Sequence, residues 1–245
     1  MSTNLPQFYQ KPVMLNRDEH ADLTVSPSPG GLSFAAPART VPLAAVEFFD
    51  AGRQMPVIFI RTDDQRIIPL ALMGLEQGEN LFVDADGNWD GQYVPAYIRR
   101  YPFITLEQEG QTAVCFDEAF DGFNLPGGTP LFEHGEPAEK SREIIAFLED
   151  YNNRMQETEQ FGAMLAQSGL LRQIDARATL HDGRNYELGG MLVVDEQHLA
   201  RLPDSDIVRL FRSGALALIH AHLLSIRNLA GLVDRKSGRK QTVTC

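Results

Sequence analysis

Between Pro137 and Gly169 the residues Ile144, Leu148, Tyr151, Met155, Gly162 and Leu165 recur three, four and seven apart. That spacing lines one face of an α-helix and cannot line one face of a strand. Glu139 and Glu143 stand where a helix N-terminus favours negative charge, and Gly169 stands where a helix stops. A long helix in the second half therefore constrains the rest, because the neighbouring segments must cover its apolar stripe.

The segments before it read mostly as strands. Leu43 to Gly52 suits a short helix closed by a glycine, and the β-branched run Pro56-Val-Ile-Phe-Ile60 follows at once. Ile67–Leu75, Leu81–Val83 and Thr112–Phe116 continue as strands, with Glu76-Gln-Gly-Glu79 as a hairpin turn. After the long helix, Ile174–Leu180 and Tyr186–Val194 flank Asp182-Gly183, a hairpin signal. Asp206 to Val233 reads as one closing helix, apolar around most of its circumference and so the most buried. Strands and helices are segregated, which predicts an α+β fold: a β-rich N-terminal half with hairpins, then a long amphipathic helix, a β-hairpin and a buried terminal helix. Pro6, Pro12, Pro27, Pro29, Pro37 and Gly30-Gly31 forbid long helices at the start, so residues 1–40 form an extended arm. Residues 1–233 are expected as a single domain, and 234–245 as a basic, disordered tail.

Charge narrows the partners. The net charge of −11 repels nucleic acid backbones, and 43 % hydrophobic content supplies a real core. Two cysteines, Cys115 and Cys245, cannot make a disulfide framework. The first residues lack the apolar core of a signal peptide, and no stretch approaches the roughly 20 apolar residues of a membrane span. The expectation is a cytoplasmic, soluble protein without a membrane span.

The acidic stretch Asp84-Ala-Asp-Gly-Asn-Trp-Asp-Gly91 half-matches a calcium loop. With Asp86 at position one, Asn88, Asp90 and Gly91 fall correctly, but position twelve is Tyr97 and Pro95 occupies position ten. It reads as an acidic turn. His-x-His at 220 and 222 does not share a helical face, and the other histidines have no metal-ligand spacing, so no metal site is expected. His222 and Ser225 lack a third orienting group, no Gly-x-Ser-x-Gly turn exists, and Gly122-Phe-Asn-Leu-Pro-Gly-Gly128 lacks the Lys-Ser/Thr of a phosphate loop. Neither catalytic residues nor a cofactor are assigned. The continuation Tyr93-Val-Pro-Ala-Tyr-Ile-Arg-Arg-Tyr-Pro-Phe103 is different: Pro95 opens a short helix and Pro102 ends it. Arg99 and Arg100 point in different directions on such a turn, with at most one expected to face inward. Trp89, Tyr93, Tyr97, Arg99, Arg100 and Tyr101 are the candidate binding residues, since arginines among tyrosines make a forked, stacked site for a carboxylate or phosphate. The alternative is an arginine bracing the turn against an acidic side chain.

The ordered segments VPLAAVEFFDAGRQMPVIF, GENLFVD, YVPAYIRRYPF, VCFDEA, LFEHGEP, GGMLVVDEQHLARLPD and GALALIHAHLLSIRNLAGL resemble the SapC family, a bacterial family named for a component of a surface-layer locus. The resemblance covers roughly residues 5 to 233 and implies a single domain associated with the cell-surface coat or accessory to its assembly, with a protein partner or self-association. It brings no reaction and no catalytic residues. Three readings stand beside one another: a non-catalytic surface-layer accessory, a cytoplasmic protein that binds a small anionic molecule or peptide, and an enzyme of undetected type.

Overall fold

A computed structural model describes residues 5–108, 111–180 and 182–238. His181, the end of the basic tail from Arg239 and Cys245 lie outside the described residues. The fold is α+β, with antiparallel strands throughout the N-terminal half and a helix, hairpin and further helices in the C-terminal half. Chain contacts gather into two compact units, each assembled from discontinuous segments.

The first unit comprises residues 1–35, 83–88 and 96–153. The N-terminal arm is woven into it: Pro12–Met14 pairs antiparallel with Gln111–Asp117, which pairs in turn with Phe103–Gln108. Further along the arm, Thr24–Val25 pairs with Thr129–Pro130. These pairings suit a proline-rich segment, because Pro12 occupies the first position of an edge strand, where no ladder donor is required. Leu23, Phe103, Phe116, Leu131 and Leu148 form the core, and Tyr9, Ile104 and Cys115 a second cluster. The acidic turn is held to the arm by glycine: Leu32 N–H donates to the Gly87 carbonyl (2.8 Å), and a Cβ on Gly31 or Gly87 would overlap the opposing backbone. Both glycines also have positive φ, +58° and +80°.

The second unit comprises residues 36–82, 89–95 and 154–245. Its antiparallel sheet runs, in spatial order, Leu171–Thr179, Asn185–Val194, Val57–Arg61, Ile67–Leu72 and Thr40–Pro42. Phe48, Phe59 and Phe161 meet with ring centroids about 6 Å apart in its core. Gly162 explains a gap in the helical stripe: a Cβ there would overlap the Ile67 carbonyl oxygen, so the helix backbone itself packs on the strand.

The long helix is Glu139–Ser168, and Gly169 follows it at φ +66°. The expected hairpin is Leu171–Thr179 with Asn185–Val194. Three elements differ from expectation. Leu81–Val83 is not a strand, because Asn80 and Phe82 enter a turn in which Asn80 Oδ1 accepts the Phe82 N–H (3.0 Å). Phe103–Gln108 is a strand that the reading from sequence passed over. The closing helix is three, Asp204–Arg212, Ala215–Ser225 and Asn228–Lys236, the first break falling at Gly214 with φ +77°. It is also less buried than expected: Phe211 and Leu224 are 73 % and 65 % exposed, while Ile219, His222, Ser225 and Leu232 are buried. The last two of these helices run end to end, and Ala215–Lys236 together is long and apolar enough to cross a membrane by length and composition, which corrects the expectation that no stretch comes near that length; core helices of proteins with no membrane span share that composition.

Candidate functional site

The segment from Ala96 folds as a single helical turn, Ala96–Arg99, with Pro95 before it and a cis Tyr101–Pro102 bond after it. Tyr97 and Ile98 are buried by this turn. The candidate residues divide between the units: Trp89 and Tyr93 belong to the second, and Tyr97, Arg99, Arg100 and Tyr101 to the first.

In the second unit Trp89 stacks on Phe82 (5.4 Å, 21°), and its Nε1–H donates to the Tyr93 carbonyl at 3.0 Å. The Tyr93 hydroxyl donates to Glu47 Oε1 (2.8 Å), and Gln54 bridges Tyr93 O and Gln92 N. These polar atoms close a loop against its own neighbours.

In the first unit the tyrosines build a cage. The Arg100 guanidinium carbon lies 4.1 Å from the Tyr97 ring centroid, 5.0 Å from Tyr151 and 5.8 Å from Tyr9. Rings stabilise the cation through their faces but accept no strong hydrogen bond in its plane. Arg100 makes no ion pair among the described residues, and its Nε is buried without a hydrogen-bond partner. A buried orphan donor costs about 1–3 kcal/mol and calls for an explanation. Arg100 also lines a cavity of about 300 Å³. Arg99 and Lys140 also line that cavity, with Arg99 exposed and Arg100 half-buried. Arg99 lies over the Phe147 ring at 5.3 Å, and Lys140 pairs with Glu143 at 3.0 Å. Phe103, Ile144, Phe147 and Leu148 supply the apolar wall.

Neighbouring phenols act as struts. The Tyr9 hydroxyl donates to the Phe103 carbonyl (2.7 Å), and burial pushes its pKa up while the nearby Arg100 charge opposes that shift. Tyr101 sits against Phe34, Tyr9 and Phe8, with its hydroxyl donating to Asp117 Oδ2 at 3.2 Å. Burial first, then the Asp117 charge, pushes the Tyr101 phenol up as well. Neither phenol is poised to release its proton near neutrality. Asp117 is fully buried and also accepts the Gln10, Lys11 and Ala119 amides, so it ties the arm to the turn.

Other chemistry-bearing residues are occupied structurally. His222 Nδ1 donates to Val57 O (2.7 Å) while Nε2 accepts Val194 N–H (3.1 Å). Ser225 Oγ donates to His222 O and accepts Val57 N–H, so the pair fastens a helix to two strands. In the acidic turn the Asp84 carboxylate accepts the Asp86 and Asn88 amides at 2.9 and 2.8 Å, and the bonds from Asn88 hold its pKa below the usual range. Among the described residues no group of three or more His, Cys, Asp or Glu gathers around a metal-sized point. Cys115 is buried and its thiol is pushed up by burial, opposite to what a nucleophile needs.

Reading the sequence missed Tyr9, Tyr151, Lys140 and Phe147. Tyr151 carried a signal, a phenol within an otherwise aliphatic stripe, but its partner across the fold was invisible. Among known families, the model of the one described as SapC matches residues 15–232. Neither a curated protein nor a solved structure matches.

Proposed function

Taking as premise that the chain belongs to the SapC family, we propose that it is a non-catalytic binding protein that holds a small anion at Arg100. One observation carries this reading: a guanidinium caged by three tyrosine rings, and in no ion pair among the described residues, lines a cavity shared with Arg99 and Lys140. The ring faces fix the cation, and the in-plane N–H groups are what an oxyanion binds. Among the described residues no metal-binding cluster accompanies it, and what the caged cation and its apolar flank supply is recognition. A thermal-shift screen of carboxylated and phosphorylated metabolites tests this. Ligand at one hundred times its Kd adds about 2.7 kcal/mol to the wild type, and Arg100→Gln removes that gain. Stabilisation unchanged by both Arg99→Ala and Arg100→Ala overturns the assignment.

A second reading rests on the family alone. Its link to a surface-layer locus supports a role as a surface-associated or assembly-accessory protein, with a protein partner or self-association. Cell fractionation decides this one, and confinement to the cytosol sinks it.

A further inference from the structure

We infer that the Arg100 cavity takes an amphipathic oxyanion, a carboxylate or phosphate head carrying an apolar tail, in place of a bare inorganic ion; this rests on the anion-binding reading above. The head is specified by Arg100. Three rings, Tyr97, Tyr151 and Tyr9, crowd the guanidinium and the Nε is buried among them, which leaves the outer Nη edge as the donor surface. Edge-on approach by two oxygens in the guanidinium plane is the geometry that a carboxylate or phosphate satisfies and a neutral group does not. The tail is specified by the wall. Ile144 and Phe147 are half-buried and present an apolar side to an open cavity of about 300 Å³, with the buried Phe103 and Leu148 packed behind them. A bare ion would leave that surface facing water or empty space, whereas each methylene placed against it strengthens binding about fourfold. Lys140 and Glu143 pair with each other at the cavity, so Glu143 does not oppose the head at full strength. The combination of one caged cation and an apolar flank reads a short-chain or aryl acid more naturally than a sugar or a nucleotide, which would need further polar partners.

Titration calorimetry of the full chain with acetate, butanoate, hexanoate, octanoate, hexyl phosphate and inorganic phosphate tests the inference. The expected result is a Kd that falls about fourfold per methylene along the carboxylate series until the cavity fills. Arg100→Gln abolishes octanoate and hexyl phosphate binding, Arg100→Lys weakens it at least tenfold, and Phe147→Ala flattens the chain-length dependence while the protein keeps its near-ultraviolet dichroism. Should Arg100→Gln fail to fold, Phe147→Ala and the chain-length series in the wild type still decide. Arg100-dependent binding of acetate or inorganic phosphate as tight as octanoate overturns the amphipathic inference and leaves the anion site standing. Octanoate binding that the folded Arg100→Gln variant retains, or the absence of binding by every probe, overturns both.

Discussion

His222 shows how much a single side chain can fasten. It donates to one strand and accepts from another, which requires the neutral ring with its proton on Nδ1. A second proton on Nε2 would point at the Val194 N–H. Burial pushes its pKa down from 6.5 to about 4, against the smaller upward pull of the bond to Val57. The unfolded chain therefore takes up this proton before the folded one does. The group's contribution is complete above pH 6.5 and is lost as pH falls towards 4, a change on the order of 3 kcal/mol. Urea denaturation across that window should show the loss in the wild type. His222→Gln should be less stable at pH 7 and should lack this component. Asp117 is the comparable residue of the first unit: Asp117→Ala strands the Gln10, Lys11 and Ala119 amides and the Tyr101 hydroxyl, and should cost about 3 kcal/mol. Faster proteolysis near Gln10 should accompany that loss, because the arm is released. Neither role could be read from sequence, since both depend on backbone groups more than one hundred residues distant.

At the scale of elements, the stripe from Ile144 to Leu165 was legible because a helix repeats its own signal locally, and so was the Asp-Gly hairpin after it. Gly162 looked like a weak member of that stripe, yet it marks where helix backbone meets the Ile67 carbonyl. Gly162→Ala should destabilise by about 2 kcal/mol, opposite to the gain expected for alanine in a free helix. Thermal denaturation of the single variant decides the sign. The C-terminal segment misled because hydrophobicity does not reveal a break: Gly214 in a left-handed conformation divides an apolar run that composition makes look continuous. The Arg-Arg turn was found by its prolines and aromatic residues. Its cage was not, since Tyr9 and Tyr151 come from the arm and the long helix, and pairing between distant segments leaves no periodic trace.

For the whole molecule, ligand binding should register unevenly. Hydrogen exchange with octanoate bound should slow across residues 96–103 and 140–151, which hold the cage and the cavity, and stay unchanged over Asp204–Arg212. Protection spread equally over both regions would count against a local site. The segmentation of the two units has a consequence for heredity. Each is assembled from three stretches of chain that alternate with those of the other, and the Glu139–Ser168 helix supplies residues to both. No single crossover in the gene can therefore transplant either unit intact. Exchange of either unit needs a crossover at every junction between those stretches.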